Sequence, residues 1–352
     1  MIKRRQTITI NVGSVKLGSS SPIVIQSMTK VPTVDLERCV RQISQLAEAG
    51  CRLVRVAVAT GKDAAAFAKI VEKVAVPLIA DIHFSPRLAI AAIEAGAAKI
   101  RLNPGNIKDR ESIYRIIDAA KMHKVAIRIG INEASIRNLK AQDVPRGKRT
   151  AFMLKKMKKY VRLFEGRGFT QLVLSAKSSD VARTIEINRR IAESFDYPIH
   201  LGLTHAGLPE DAELPSAVTL GALLAEGIGD TIRVSVAGDP VEEARIAKQI
   251  LIALGLQERS TPELIVCPVC ARAQTDVIKL ARRVKKALTG VDKPLRVAVM
   301  GCVVNGPGEA ADADLAVCTA KNKACLYRKG RRVSVVPEQK IIPRLLKELK
   351  NL

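Results

Sequence analysis

Tryptophan is absent from this 352-residue chain, and aromatic residues together make up only 3% of it. Proteins that hold single-stranded nucleic acid commonly stack its bases on aromatic side chains, so this scarcity argues against such a binding surface. Long apolar runs are missing as well, because charged residues and alternating Thr and Ile occupy the N-terminus. We therefore expect a cytoplasmic protein with neither a signal peptide nor a membrane-spanning helix, and no nucleic-acid partner.

Acidic residues are also few: 34 Asp and Glu stand against 58 Lys and Arg, which gives a net charge of +24. Such a balance predicts anionic partners, for example a diphosphate substrate or an acidic redox protein. Part of the excess lies in two helix-like basic runs, residues 154–159 and 282–286. We interpret these runs as solvated helix faces. The hydrophobic content of 47% indicates a sizeable folded core.

The seven cysteines are interpreted as thiols or metal ligands, because a cytoplasmic protein seldom keeps disulfides. Cys39 and Cys51 fall in apolar helix and strand patterns of the first half, so we expect buried thiols there. Cys318 and Cys325 lie on predicted strands and are expected to be packed in the same way. The remaining three cysteines lie in loop-like segments that are typical of metal-binding sites.

Two segments carry these three cysteines: a Cys-Pro-Val-Cys turn at Cys267 and Cys270, and the segment 301–309 with Cys302 and Glu309. Two thiols three positions apart can bind one metal centre, and a third from a distant loop completes the set. Thiolates are soft ligands, which favours an iron–sulfur cluster or zinc. The Cys-x-x-Cys pattern alone also allows a dithiol redox pair. The Gly-Pro-Gly turn before Glu309 is unusual for a zinc ribbon.

A regular alternation of strands and helices dominates the first 256 residues. The hairpin pattern of residues 7–17 precedes eight short β-branched runs, each followed by a helical segment: 23–26, 53–58, 78–82, 99–102, 126–129, 171–174, 199–203 and 231–236. This rhythm predicts a (β/α)₈ barrel, with an open doubly wound sheet as the alternative. A longer loop is predicted over residues 132–149. Residues 257–352 are predicted to form a small α+β domain with five strands and two helices, over 272–288 and 337–349.

Basic and polar side chains gather at the carboxyl ends of these strands, where barrel enzymes hold their active sites. The set is Arg55, His83, Arg101, Asn103, Arg128, Asn132, Lys177, Arg233 and Ser235. Arginines in apolar strands need a partner for their charge, and guanidinium groups match phosphate oxygens with two parallel hydrogen bonds. A salt-bridged core arginine is the common alternative for any one of them. The four arginines together with Lys177, all at the same end, predict a diphosphate site.

Several of these segments resemble the bacterial 4-hydroxy-3-methylbut-2-enyl diphosphate synthases, and the resemblance covers nearly the full length. It rests on residues 26–29, 81–84, 101–106, 128–130 and 229–235 and on the two cysteine segments. The resemblance implies that Cys267, Cys270 and Cys302 hold three irons of a [4Fe–4S] cluster, with Glu309 as the fourth ligand. A carboxylate oxygen suits a sulfide-ligated iron poorly, so substrate oxygen could replace it.

The resemblance further implies the reaction and the partners. The substrate would be 2-C-methyl-D-erythritol 2,4-cyclodiphosphate, opened and dehydrated with two electrons in the non-mevalonate isoprenoid pathway. The Arg, Asn, Lys and Ser residues at the strand ends would surround its diphosphate. His83 would be a further polar contact there, or else a histidine that satisfies backbone groups at a strand end. Reduced flavodoxin or ferredoxin would supply the electrons, and the enzyme would be a homodimer. The C-terminal domain would resemble the cluster domains of sulfite reductases.

One catalytic position departs from the family pattern. Members usually have Thr-Glu-Ala-Gly where this chain has Thr204-His205-Ala206-Gly207. A histidine can donate a proton near neutral pH, so His205 is predicted to be catalytic together with Glu309.

Two other classes of function also fit part of the sequence. An electron carrier would have a cluster held by four thiolates, with Cys318 in place of Glu309. A basic barrel protein with structural zinc would bind RNA. The electron carrier leaves the arginines at the predicted strand ends unexplained.

Overall fold

A hairpin and eight parallel strands form the first of the two units into which the chain divides, residues 1–257 and 258–352. The sequence predicts the boundary after residue 256. The computed structural model describes residues 2–107, 109–133, 136, 144–204 and 207–352. In these ranges no helix has both the length and the apolar character to cross a bilayer.

The first unit contains a closed barrel. Its hairpin strands β1 and β2 and its barrel strands β3 to β10 span Ile10–Val12, Val15–Leu17, Val24–Met28, Leu53–Ala57, Leu78–Asp81, Lys99–Leu102, Ala126–Asn132, Leu172–Lys177, His200–Leu201 and Thr231–Ile232. The strand order is β8-β7-β6-β5-β4-β3-β10-β9, and a bridge between Leu174 and Ile199 brings the two edges together. The predicted (β/α)₈ barrel is confirmed, and the open doubly wound sheet is wrong.

Eight helices of the first unit alternate with these strands. Helices α1 to α8 span Leu36–Glu48, Gly61–Val71, Pro86–Glu94, Arg110–Met122, Arg149–Glu165, Val181–Ser194, Pro209–Ala225 and Pro240–Ala253. Their starts are encoded locally: the Asp35 and Ser85 side chains accept hydrogen bonds from backbone N–H groups in the first turns of α1 and α3. The predicted loop over 132–149 lies largely outside the described residues, and its end forms a 3₁₀ turn at Arg146–Lys148.

The N-terminal hairpin packs against the start of the barrel. Its four apolar residues are buried in one cluster with residues at the beginnings of β3, β4, β5, β7 and β8: Ile10, Val12, Val15, Leu17, Val24, Leu53, Ile79, Ala126 and Val173. This apolar plug closes the amino-terminal end of the barrel. The opposite end, where the strands finish, is the polar one.

The second unit is a five-stranded mixed sheet with helices. Strands β11 to β15 span Glu263–Val266, Arg296–Met300, Leu315–Ala320, Lys323–Arg328 and Arg331–Pro337, in that order across the sheet. Helices α9, α10 and α11 span Val277–Ala287, Gly306–Glu309 and Ile341–Leu349. The start predicted for α9 at residue 272 is wrong, because the Asp276 side chain accepts from the Lys279 N–H and caps the helix there.

Two apolar layers cover this sheet. One lies between the sheet and helices α9 and α11, and the other packs Cys318 with Met300 and several alanines. Cys318 and Cys325 are opposite one another on β13 and β14, and both are buried. Burial raises the pKa of the Cys318 thiol to about 12. The prediction of packed thiols is confirmed here, and likewise for Cys39 and Cys51.

Candidate active site

The polar end of the barrel contains a cavity of about 220 Å³. Side chains alternate between the two faces of a strand, so residues two apart enter the barrel interior together. Eight of the nine residues predicted to bind substrate line this cavity: Arg55, His83, Arg101, Arg128, Asn132, Lys177, Arg233 and Ser235. Asp81, Ser175 and Thr204 also line it.

One residue predicted to bind substrate, Asn103, is not in the described lining. Asn103 is buried, and its side-chain oxygen accepts a hydrogen bond from the Gly105 N–H at 3.1 Å, which starts the 3₁₀ turn Pro104–Asn106. His205 lies outside the described residues, so its predicted catalytic role stays a prediction.

Asp81 is the central carboxylate of the cavity. Its oxygens lie 3.9 Å from Arg55 Nε and 3.6 Å from Arg101 Nη1, and its Oδ2 is 3.2 Å from His83 Nε2. Burial alone would raise the pKa of Asp81, but Arg55, the His83 hydrogen bond and Arg101 hold it below its usual value. Arg101 Nη1 also reaches His83 Nδ1 at 3.1 Å. Because a guanidinium only donates, His83 Nδ1 accepts and its Nε2–H donates to Asp81.

Arg233 is fixed by a carboxylate that sequence reasoning missed. Glu243 on α8 accepts from Arg233 Nε at 2.8 Å and from Nη2 at 2.9 Å. The same carboxylate accepts from the Ser27 hydroxyl at 2.8 Å and lies 3.2 Å from Lys30 Nζ. In the sequence, Glu243 resembles any acidic residue in the first turn of a helix, so only the tertiary structure reveals it.

Arg128 and Lys177 form no ion pair with a carboxylate in the ranges that the structure describes. Arg128 is buried, and among the described residues its Nε and Nη1 atoms find no hydrogen-bond partner. Burial, with the charges of Arg55 and Arg101, lowers the pKa of Arg128 well below its usual range. Burial also lowers the pKa of Lys177, and the charge of Arg128 adds to that effect. Both side chains are therefore held in the cavity at a cost in free energy.

Two glycines leave room for the side chains of Lys177 and Arg101. A Cβ atom at Gly202 would lie 2.5 Å from Lys177 Nζ and 2.6 Å from the Arg233 carbonyl oxygen. A Cβ atom at Gly130 would lie 3.2 Å from Arg101 Nε. The strand backbone thus approaches the basic side chains closely, as it does where a ligand site needs space.

The charge balance of the cavity is strongly positive. Among the described residues, its lining has five cationic side chains and one carboxylate, Asp81, with Glu243 behind Arg233. Arginine and lysine groups that converge without enough carboxylates are stabilised by a bound anion. The described part of the barrel mouth therefore fits a ligand with several phosphate oxygens.

Lys99 lies deeper in the same barrel, and replacing it should stabilise the protein. It is fully buried, and its Nζ has no hydrogen-bond partner among the residues described. Burial, followed by the charges of Arg128 and Arg55, lowers its pKa well below the ordinary 10.5. Above pH 10.5 the group is neutral in both the folded and the unfolded state and does not destabilise the fold. As the pH falls toward the folded-state pKa, the free energy of unfolding decreases. We expect Lys99→Met to add about 1–3 kcal/mol near pH 7.

Thermal unfolding between pH 6 and pH 10 measures this effect. The gain in Tm for Lys99→Met should shrink as the pH rises, while the exposed control Lys62→Met should stay within about 0.5 kcal/mol of wild type. A lower Tm for Lys99→Met at pH 7 would contradict the assignment of an unpaired buried charge.

The second unit gathers the cysteine segments for a topological reason. Strands β11 and β12 are parallel neighbours, and Cys267 and Cys302 follow their carboxyl ends. Parallel strands end at the same edge of a sheet, so the two loops meet there. The Cys267 N–H donates to the Val299 carbonyl at 3.0 Å, which holds the first loop against β12.

A cavity of about 130 Å³ lies between these loops. Cys267, Cys270, Cys302 and Glu309 all line it, together with Arg272. Its volume is several times the ~30 Å³ that one water occupies in the liquid. No group of three His, Cys, Asp or Glu side chains in the described ranges is spaced to hold a single metal ion. Cys318 is not part of the described cavity lining.

The loops around this cavity have unusual backbones. Val269, between the two cysteines of the turn, has φ +63°, a conformation that is strained for a β-branched residue. Its N–H donates to Cys267 Sγ at 3.4 Å. Backbone N–H groups of Asn305 and Val304 lower the pKa of the Cys302 thiol, which favours its thiolate. Strain of this kind occurs where a loop is shaped for a ligand.

These two sites define the class of protein. It is a TIM-barrel enzyme with an anion-binding site at the barrel mouth and a separate domain that carries a thiolate site. Residues 7–248 match the family model of the GcpE TIM-barrel domain, and residues 263–351 match the GcpE protein C-terminal domain. The chain belongs to the GcpE family, as the resemblance predicted.

Full-length relatives agree with this assignment. A 4-hydroxy-3-methylbut-2-en-1-yl diphosphate synthase (flavodoxin) from Caldanaerobacter subterraneus subsp. tengcongensis is 45% identical, with 100% of this chain and 99% of that protein covered. A protein of the same name from Salinispora tropica is 47% identical, with 99% and 89% covered. Dihydropteroate synthase from Coxiella burnetii shares the fold alone, at TM-score 0.53 and 11% identity over 71% of this chain and 99% of that one.

Proposed function

We propose that this chain catalyses the two-electron reductive ring opening and dehydration of 2-C-methyl-D-erythritol 2,4-cyclodiphosphate. The product is (E)-4-hydroxy-3-methylbut-2-enyl diphosphate, in the non-mevalonate isoprenoid pathway. Membership of the GcpE family and the names of the full-length relatives support this reaction. The observation that carries it is the barrel mouth, where five cations and one carboxylate of the described residues line a cavity.

The barrel residues bind and orient the diphosphate. Arg128 and Lys177 lack a carboxylate partner among the described residues, so substrate phosphate oxygens complete their charge balance. Arg101 and Arg55 both pair with Asp81, and Arg233 pairs with Glu243. These carboxylates position the three guanidinium groups before substrate arrives. Ser235, His83, Asn103 and Asn132 provide the polar contacts of this proposed site.

The second unit holds the cofactor. Cys267, Cys270 and Cys302 would bind three irons of a [4Fe–4S] cluster, and Glu309 would bind the fourth. The donor set fits this group, because soft thiolates and one hard oxygen line a cavity larger than a single ion needs. When bound, such a cluster supplies electrons singly and one Lewis-acidic iron. Glu309 holds the replaceable position, and His205 is the proposed proton donor.

The proposed electron donor is flavodoxin, with ferredoxin as a second candidate. The relatives carry flavodoxin in their names. A net charge of +24 favours association with an acidic donor through long-range attraction. We further propose a homodimer, which sedimentation of the anaerobically purified protein would test.

An anaerobic turnover assay tests the reaction. Purified protein with quantified iron and sulfide should form product from the cyclodiphosphate and reduced flavodoxin, and added substrate should change the EPR spectrum of the reduced protein. An electron carrier with a four-thiolate cluster would leave that spectrum unchanged. Zinc without sulfide in the purified protein would contradict the iron–sulfur assignment.

A further inference from the structure

The outer face of the barrel has a cleft between helices α4 and α5. Neighbouring helices elsewhere in the ring pack closely, as α3 does with α4 and α5 with α6. Between α4 and α5 there is instead a cleft of about 1000 Å³. None of the residues proposed to bind substrate or cluster lines the described part of this cleft. It therefore has no part in the chemistry derived above.

The cleft has an apolar floor and a basic rim. Ile107, Ile113 and Tyr160 are buried at its floor, and the half-buried Leu154 and Leu163 lie beside them. Seven cationic side chains also line it: Arg110, Lys155, Lys156, Lys158, Lys159, Arg162 and Arg190. One carboxylate, Asp109, belongs to the described lining, and it accepts from the Ser112 N–H at 2.6 Å as the cap of α4.

Four of the basic residues of α5 are not balanced by carboxylates of the described residues. In the described part of the chain, Lys155, Lys158, Lys159 and Arg162 have no ion-pair partner. Four of the pairs that they form, 155/158, 155/159, 158/162 and 159/162, are three or four residues apart on the helix, where like charges cost about 0.2–0.5 kcal/mol for each pair. The arginines of the next helix differ, since Arg183 pairs with Glu133 and Arg189 pairs with Glu226. The sequence interpretation of a solvated helix face does not account for the cleft beside these lysines.

A cleft with this lining selects its ligand by two features at once. The cations match a phosphate or diphosphate group, and the apolar floor matches a hydrocarbon chain. Its volume is at the upper end of the range of small-molecule sites, roughly 300–1,000 Å³. A second copy of the chain is a poor occupant, because a twofold contact would bring the same basic residues together.

We propose that the α4/α5 cleft binds a single amphipathic anion, a phosphate or diphosphate group carried on an apolar chain. The anionic group contacts Lys155, Lys159 and Arg162, and the chain lies along Ile113 and Leu163. Binding there relieves the repulsion along α5. This site is independent of the proposed reaction at the barrel mouth.

Calorimetric titration of the anaerobically purified holoenzyme with farnesyl diphosphate tests the proposal. Farnesol keeps the chain without the charge, and inorganic diphosphate keeps the charge without the chain, so both should bind at least about tenfold more weakly. Because farnesyl diphosphate could also enter the barrel mouth, the titration is repeated in Arg128→Met protein. The cleft site should persist there, whatever the outcome of the turnover assay.

A matched pair of variants locates the site. Lys155→Gln with Lys159→Gln should weaken binding of farnesyl diphosphate about tenfold or more. Lys285→Gln with Lys286→Gln removes the same charge from the exposed basic run of α9 and should change binding less than about twofold. Neither double variant should change the KM for the cyclodiphosphate.

Three results would overturn the assignment. One is equal weakening by both double variants, and a second is equal binding of farnesol. The third is a cleft variant that raises the KM for flavodoxin while wild type does not bind farnesyl diphosphate, which would make the cleft a protein-docking surface. A further contrary result would be binding to phosphatidylglycerol vesicles without binding to soluble farnesyl diphosphate. That result would indicate an interaction with a lipid surface and not a site for one molecule.

Discussion

Glu309→Ala protein should retain most of its iron and sulfide while its turnover falls by about 10³-fold or more. Cys302→Ala protein, in contrast, should lose its iron and sulfide as well as its turnover. Three thiolates suffice to hold a cluster, so removing the carboxylate leaves the cavity able to bind it. Cys302 differs because it is one of the three proposed thiolate ligands, and backbone N–H groups of Asn305 and Val304 favour its thiolate. The two variants therefore separate cofactor retention from catalysis.

Iron and sulfide analysis beside anaerobic kinetics measures both quantities on one preparation. Asp312→Ala is the matched control, since this exposed carboxylate follows Glu309 by three residues and is not among the described residues of the cavity lining. It should be indistinguishable from wild type in both measurements. If Glu309→Ala keeps wild-type kcat, the carboxylate has no catalytic role, and a fourth ligand must be sought elsewhere.

The sequence predicted the inward-facing cations of the barrel because strand periodicity is local information. Arg101 and Arg128 occupy apolar runs whose alternation places them on the interior face, and their strands are paired in register at those two residues. Cys267 and Cys302 could be brought together by similar reasoning once each was placed after a parallel strand.

Features that depend on packing between distant elements were not predictable in this way. The role of Glu243 depends on how α8 sits against β10 and β3, which no local pattern encodes. Nor does the spacing of lysines in α5 reveal that α4 stands apart from that helix. The start of α9 was placed too early for another reason: Asp276 was not recognised as the residue that caps the helix.

Arg128→Met should lower kcat/KM for the cyclodiphosphate by about 10²–10³-fold and, in the same protein, raise the stability of the substrate-free state. The two effects have one cause. Arg128 is buried, its Nε and Nη1 make no hydrogen bond to the described residues, and its pKa is lowered by burial and by nearby arginines. An unbranched, apolar methionine removes that unfavourable charge, but it also removes a donor for phosphate oxygens.

Arg189→Met provides the comparison, because Arg189 is paired with Glu226 at 2.6 Å on the exposed surface of α6. That variant should stay within about 0.5 kcal/mol of wild type and keep its kinetics. Thermal unfolding with and without substrate distinguishes the cases: added substrate should raise the Tm of wild type and Arg189→Met much more than that of Arg128→Met. A loss of stability in substrate-free Arg128→Met would mean that this guanidinium stabilises the barrel itself, and the anion site would then have to rest on Lys177 and Arg101.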